Sequence, residues 1–281
     1  MSKKKKELPP KFYASPLNNP MLNYAVYYMS AFEKTASFLV TFVLGGLAGQ
    51  VFYGGLFKVD GEATTATTIS NIVVFIIVGL IAAKFFVPAV NNMLKENRDK
   101  ALKRQFMDLL ECLNTSLSAG NTMHGAMMNA RSDLQNQYAD SDYIMVELAE
   151  IISGMNNGMN LEEMIANFGV RSANEDIMNF SNVISNCYRL GGNFSDVVRH
   201  TREIISDKIM VADEIETKIS SNKLQHNAMA LMPIALVAML KVASPEFAAN
   251  LSSFLGVIMT TVAIGIFVGS YFWGQKIINI G

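Results

Sequence analysis

Charge is what this sequence has least of. Only 17% of its 281 residues are Asp, Glu, Lys or Arg, against about 25% in ordinary soluble domains. The shortage is confined to the two ends. Residues 95–223 hold 19 acidic and 13 basic side chains, whereas the other 152 residues hold 5 acidic and 10 basic. An ordinary globular enzyme has no use for such a split, which points instead to a membrane protein with one internal soluble domain. Cysteine is nearly absent as well. Cys112 and Cys187 stand alone, without a C-x-x-C or an even framework, so neither a disulfide scaffold nor a zinc site is indicated. Both thiols lie in the charge-rich insert, as suits a reducing cytoplasm. Motifs for chemistry are missing too. No Walker A loop and no H-E-x-x-H occurs, and His124, His200 and His226 have no metal-ligand spacing to one another. The adjacent acids Glu162-Glu163 and Glu175-Asp176 fall near predicted helix starts, where the helix dipole favours negative charge. No nucleophile stands beside a base. The sequence thus predicts no catalytic, cofactor or metal site and a chain that is not an enzyme, and the acidic insert argues against nucleic acid as a partner.

What is present is long apolar sequence. Residues 35–57 carry no charge, and at 1.5 Å per residue they give about 34 Å of helix, enough to cross a hydrocarbon core of about 30 Å. A second uncharged run, Ala63 to Ala83, continues past Lys84 into FFVPAV, with the lysine stem placed to snorkel. After the insert come Leu224 to Leu240, broken by His226, Asn227 and Pro233, and then Phe247 to Gln275. Four spans are expected. Lysine and arginine crowd residues 1–34 and 95–104, while the loops joining spans one to two and three to four hold almost none; the positive-inside rule then puts both termini and the insert in the cytoplasm. Tyr24, Tyr27, Tyr28 and Phe32 read as an interfacial segment ahead of span one. Gly45 with Gly49, and Gly265 with Gly269, form G-x-x-x-G pairs that suit close helix packing, within one chain or between chains. The expected division is a basic, interfacial N-terminus over 1–34, spans over 35–91, a helical domain over 92–223 and spans over 224–281.

The insert lacks proline, and its apolar residues recur at three and four, as Leu102, Phe106, Leu109, Leu113 and Leu117 do. A corner pattern appears three times: at Gly120 and Thr122, at Gly158 and Asn160, and at Gly191 and Asn193. Glycine in the left-handed region ends one helix and the polar residue caps the next. Glu163 after Asn160, and more loosely Asp196 after Asn193, resembles a capping box. Three such corners imply an antiparallel bundle of about six helices, so the fold class expected is all-α. Between Gly192 and Pro233, forty residues lack both Gly and Pro, and a stripe at sevens (Val198, Ile205, Ala212, Ile219) leaves open one continuous helix into the third span or a bend near residues 220–222. The cluster Met123, Met127, Met128, Met155, Met159 and Met164 is open to two readings, core filler or an adaptable partner surface. Glu147, Glu150, Arg189, Arg199 and Arg202 are candidate exposed charges for a protein partner.

The stretch RQFMDLLECLNTSLSAGNTMHGAMMNA, with GMNNGMNLEEMI and LGGNFSDVVRHTREII after it, resembles the type II secretion system F (GspF-like) domain over about residues 102–220. The whole chain resembles the TadB/TadC branch of inner-membrane platform proteins in tight-adherence (Flp, type IVb-like) pilus assembly. GspF relatives carry two copies of the domain and this chain one, as in that branch. The resemblance implies a bacterial inner-membrane protein with no catalytic residues and no cofactor. It also implies its partners: a cytoplasmic hexameric secretion ATPase, a second TadB/TadC-like protein, pilin subunits and membrane lipid, in a homo- or hetero-oligomer. The five candidate charges would face the ATPase. The rival expectations are a membrane sensor or transporter subunit with a ligand-binding insert, and a static scaffold.

Overall fold

Helical spacing of apolar residues, with no proline between Pro88 and Pro233 to break it, leaves this chain little alternative to helix. The computed structural model describes residues 9–57, 64–190 and 192–278. Among these residues it is all-helical apart from one short hairpin, in which β1 (Phe12–Ala14) pairs antiparallel with β2 (Pro20–Leu22). The helices are α1 (Ala31–Tyr53), α2 (Thr65–Ser118), α3 (Met123–Leu134), α4 (Tyr143–Asn156), α5 (Leu161–Ser172), α6 (Glu175–Leu190), α7 (Phe194–Ala243), α8 (Pro245–Leu251) and α9 (Phe254–Ile278). Two compact units emerge, one of residues up to Tyr28 with Asn91–Ala212, the other of Met29–Val90 with Asp213–Gly281. The chain passes between them three times, from Tyr28 to Met29, inside α2 and inside α7.

The first unit contains six helical segments: the end of α2, the helices α3 to α6 and the start of α7. Leu102, Phe106, Leu109 and Leu113 of α2 line one buried face, and the Phe106 ring meets Phe168 of α5 and Phe180 of α6 edge-on. Met123, Met127 and Met164 fill the core, Met155 and Met159 pack against it, and Met128 is half exposed. In this cluster methionine is mainly core filler. Gly169 of α5 faces Ser181 of α6 so closely that a Cβ would lie 2.3 Å from its Oγ, which is how those two helices approach.

In the second unit, α1 lies against the first part of α2. A Cβ on Gly45 would lie 2.3 Å from that of Ala82, and one on Gly49 would lie 2.9 Å from Val78. Phe42 and Phe75 meet edge-on at 5.5 Å. Tyr53 and Thr261 share a 2.9 Å hydrogen bond, and Lys241 donates to the Gly54 carbonyl at 2.9 Å. Four helices (α1, α2, α7 and α9) have stretches long and apolar enough to cross a membrane, and those stretches are at most 11% buried. This is consistent with a multi-pass membrane protein.

The helix α2 runs unbroken from Thr65 to Ser118 despite Pro88, and α7 is continuous through Pro233, the first of the two alternatives for that run. Two other expectations are corrected. The fourth run is divided at Ser252–Ser253, where the Ser253 hydroxyl accepts from the Gly256 amide and starts a new helix. The N-terminal segment is the largest departure. Residues 12–22 form the hairpin, and Tyr24, expected at an interface, is buried in the core of the first unit.

Candidate functional site

The corners come first, since they position everything in the bundle. Gly120, at φ +86°, ends α2, and the Thr122 hydroxyl caps α3 by accepting from the Gly125 amide at 3.2 Å. Gly158, at φ +81°, ends α4, and Asn160 stands at the start of α5. No capping box forms there, because the Asn160 side chain makes no cap bond. Asn193 accepts from the Ser195 amide at 3.0 Å and donates to the Asp196 carboxylate at 2.8 Å. Gly191 lies outside the described residues. One further corner escaped the pattern. Ala173 takes the left-handed conformation after α5, and Asn174 caps α6 by accepting from the amides of Asp176 and Ile177. The run Ser-Ala-Asn-Glu-Asp at 172–176 carried that signal, a capping residue followed by acids.

The strongest electrostatic feature of the first unit is a buried ion pair. Glu147, mid-way along α4, and Arg171, in the last turn of α5, form two parallel hydrogen bonds of 2.7 and 2.6 Å, with side chains 1% and 3% exposed. Such fork-to-fork pairing is the geometry that makes a buried pair tolerable. Arg171 Nε donates to the Asn167 side-chain oxygen at 2.6 Å within α5, and the N-terminal segment adds two further bonds: the Tyr24 hydroxyl donates to Glu147 at 3.1 Å, and Arg171 donates to the Leu22 carbonyl at 3.1 Å. The Tyr24 amide donates to the Arg171 carbonyl at 2.9 Å. Burial, reinforced by the Glu147 charge and hydrogen bond, pushes the Tyr24 hydroxyl far above its usual range. Glu147 is therefore not an exposed charge, which corrects the expectation for it: its partner is Arg171, and the hairpin covers it.

Glu150, one turn on, is half-buried under the same hairpin. It accepts from the Ser15 hydroxyl at 2.5 Å and from the Asn19 amide at 3.0 Å. Arg98 of α2 clamps the segment after β2, donating to the Tyr24 carbonyl at 2.6 Å and the Val26 carbonyl at 3.2 Å, with its guanidinium against the rings of Tyr24 and Tyr27.

The three arginines lie elsewhere. Arg189 is exposed at the end of α6, 3.5 Å from Glu162. Arg199 is exposed on α7 and paired with Asp196 at 3.0 Å, and Arg202 reaches Glu111 of α2 at 2.6 Å. Between α6 and α7 runs an open groove of about 500 Å³ lined by Phe180, Val183, Val197 and Ile204 together with Arg199, His200 and Lys208. Asp176 holds the α6 end of this groove, receiving Lys103 at 3.2 Å and a short contact from Lys208. Burial alone would raise the Asp176 carboxyl, but the two lysines outweigh it and hold it below its usual value. Among the described residues no group of three His, Cys, Asp or Glu could hold a metal ion.

No family model, curated protein or solved structure matches the chain. The two G-x-x-x-G pairs differ in kind. A Cβ on Gly45 or Gly49 would run into α2 of the same chain, whereas one on Gly265 or Gly269 of α9 would meet nothing within 4 Å among the described residues.

Proposed function

We propose that this chain is a non-enzymatic platform subunit of a Tad/Flp-type, type II secretion-like machine in the bacterial inner membrane. In this role it couples a cytoplasmic hexameric secretion ATPase to pilin extraction, alongside a second TadB/TadC-like protein. The observation that carries the reading is the pair of through-going helices. α2 and α7, of 54 and 50 residues, each join a charge-rich bundle segment to an apolar run long enough to span a bilayer. Each helix continues through its internal proline, Pro88 or Pro233, so helix rather than loop connects the two segments. The residues that resemble the GspF-like domain lie within the bundle, and the basic flanks support a cytoplasmic bundle and cytoplasmic termini. Glu147 and Glu150 are engaged by the hairpin, so the ATPase contact is assigned to the exposed arginines Arg189 and Arg199, with Arg202 behind them.

Crosslinking in cells, mild-detergent purification of the full chain and mass spectrometry test this. Recovery of a secretion ATPase and a second four-span homologue supports the platform. A single clean protein after crosslinking counts against it and turns attention to a sensor or transporter role.

A further inference from the structure

The helices of the first unit are not seated alike. Apolar packing and close approach hold α5 and α6 together, through Gly169 against Ser181 and through the Phe106 ring that meets Phe168 and Phe180. The bundle end of α7 has a thinner seat. Among the described residues of that end, Val198 and Ile205 are the side chains buried fully, at 0% and 1% exposure. Beside them the groove toward α6 stays open, and it leaves Ile204 of α7 and Val183 of α6 both exposed.

Two ion pairs flank Ile205. Arg202, three residues before it, reaches Glu111 of α2 at 2.6 Å, and Lys208, three residues after it, reaches Asp176 of α6. At 3.6 residues per turn, positions three before and three after lie about 60° to either side of Ile205. The buried residue is thus straddled by one pair toward α2 and one toward α6. Asp176 also receives Lys103 of α2 at 3.2 Å, so a single carboxylate joins three helices. The α7 partners are open to water, with the Arg202 side chain 30% exposed and that of Lys208 51%. Ion pairs in such positions are individually weak and are screened by salt.

We propose that these two pairs form an ionic latch on α7. With both made, α7 stays down beside the groove; with both broken, it lifts from α6 while the core of α3 to α6 remains folded. Local opening of this kind belongs to the least stable part of a fold, and here that part is held by charge more than by apolar area. The latch needs neither an ATPase nor a pilin, and it stands whether or not the platform reading does.

The test is native-state thiol labelling of the full chain in mild detergent, with Cys112 and Cys187 replaced by alanine. Ile205→Cys reports on α7, and Ala130→Cys, at a fully buried position of α3, reports on the rest of the core. Lys208→Gln is expected to speed labelling at 205 about three- to fivefold, the scale of one partly exposed ion pair, and to leave labelling at 130 unchanged. In 1 M salt, where the screening length is about 3 Å, the chain that keeps both pairs should show the same local gain. The double variant Arg202→Gln, Lys208→Gln should lose that salt response. The salt comparison stands by itself should a latch variant not fold. Equal acceleration at 205 and 130 overturns the latch, because the pairs then add only to global stability. Labelling at 205 indifferent to both salt and substitution overturns it as well, because Val198 and Ile205 then seat α7 by packing alone.

Discussion

At the scale of single residues, Glu147 and Arg171 carry the largest expected effects. Removing one member leaves the other charged and buried, which costs about 3–5 kcal/mol, whereas replacing both with apolar residues is often close to neutral. Arg171→Leu is therefore expected to lower the melting temperature of the detergent-solubilised chain sharply, and adding Glu147→Leu should restore part of the loss. A double variant no better than the single one would show that the hairpin contacts, not the pair, hold this region. Tyr24 sets an alkaline limit. Its folded-state pKa is raised, so its contribution is full below the unfolded value of about 10 and is lost as pH rises beyond it. Tyr24→Phe should flatten that alkaline decline. Asp176 works at the opposite end. Its folded pKa is lowered, so the stabilisation is present above the unfolded value of about 3.9 and fades as pH falls through the folded one. Unfolding curves of Asp176→Asn should lose part of the wild-type acid dependence below pH 4.

At the scale of elements, the contrast between α1 and α9 can be checked directly. Gly45→Val forces a side chain into Ala82 of α2, an overpacking expected to cost about 1–3 kcal/mol. At Gly265 an added Cβ meets nothing among the described residues, and Gly265→Val should leave the melting temperature unchanged. If it instead lowers the recovery of a copurifying partner, the α9 face belongs to an interface between chains. The corners show which elements the sequence declares. Gly120 with Thr122, and Gly158 with Asn160, are legible because the ending of one helix and the start of the next are decided within four residues. The Ala173 corner was harder, because alanine in the left-handed region gives no local sign of itself and only Asn174 marks the turn. The hairpin was not legible. Its strands are three residues long, too short for alternation to register, and the burial of Tyr24 depends on Glu147 and Arg171, far along the chain. For the same reason Glu147 passed for a surface charge: position on a helix face says nothing of what another segment lays over it.

At the scale of the whole molecule, side-specific labelling tests the expected topology. In a chain with Cys112 and Cys187 replaced by serine, single cysteines at Asp140, in the bundle, and at Glu246, in α8, should react with a membrane-impermeant thiol reagent from opposite faces of the membrane. Labelling of both from one face would remove the four-span arrangement. The hairpin also bears on how the molecule is made. Leu22 and Arg171 meet through a hydrogen bond although 149 residues separate them. A ribosome adding about 5–20 residues per second needs roughly 7–30 s to cover that distance. For that interval the N-terminal strands are outside the ribosome with their dock not yet synthesised, while α1 and the apolar part of α2 are already available to the insertion machinery. Burial of Tyr24 is thus a late event in biogenesis, and the first span must be committed to its orientation before the segment preceding it has anything to hold.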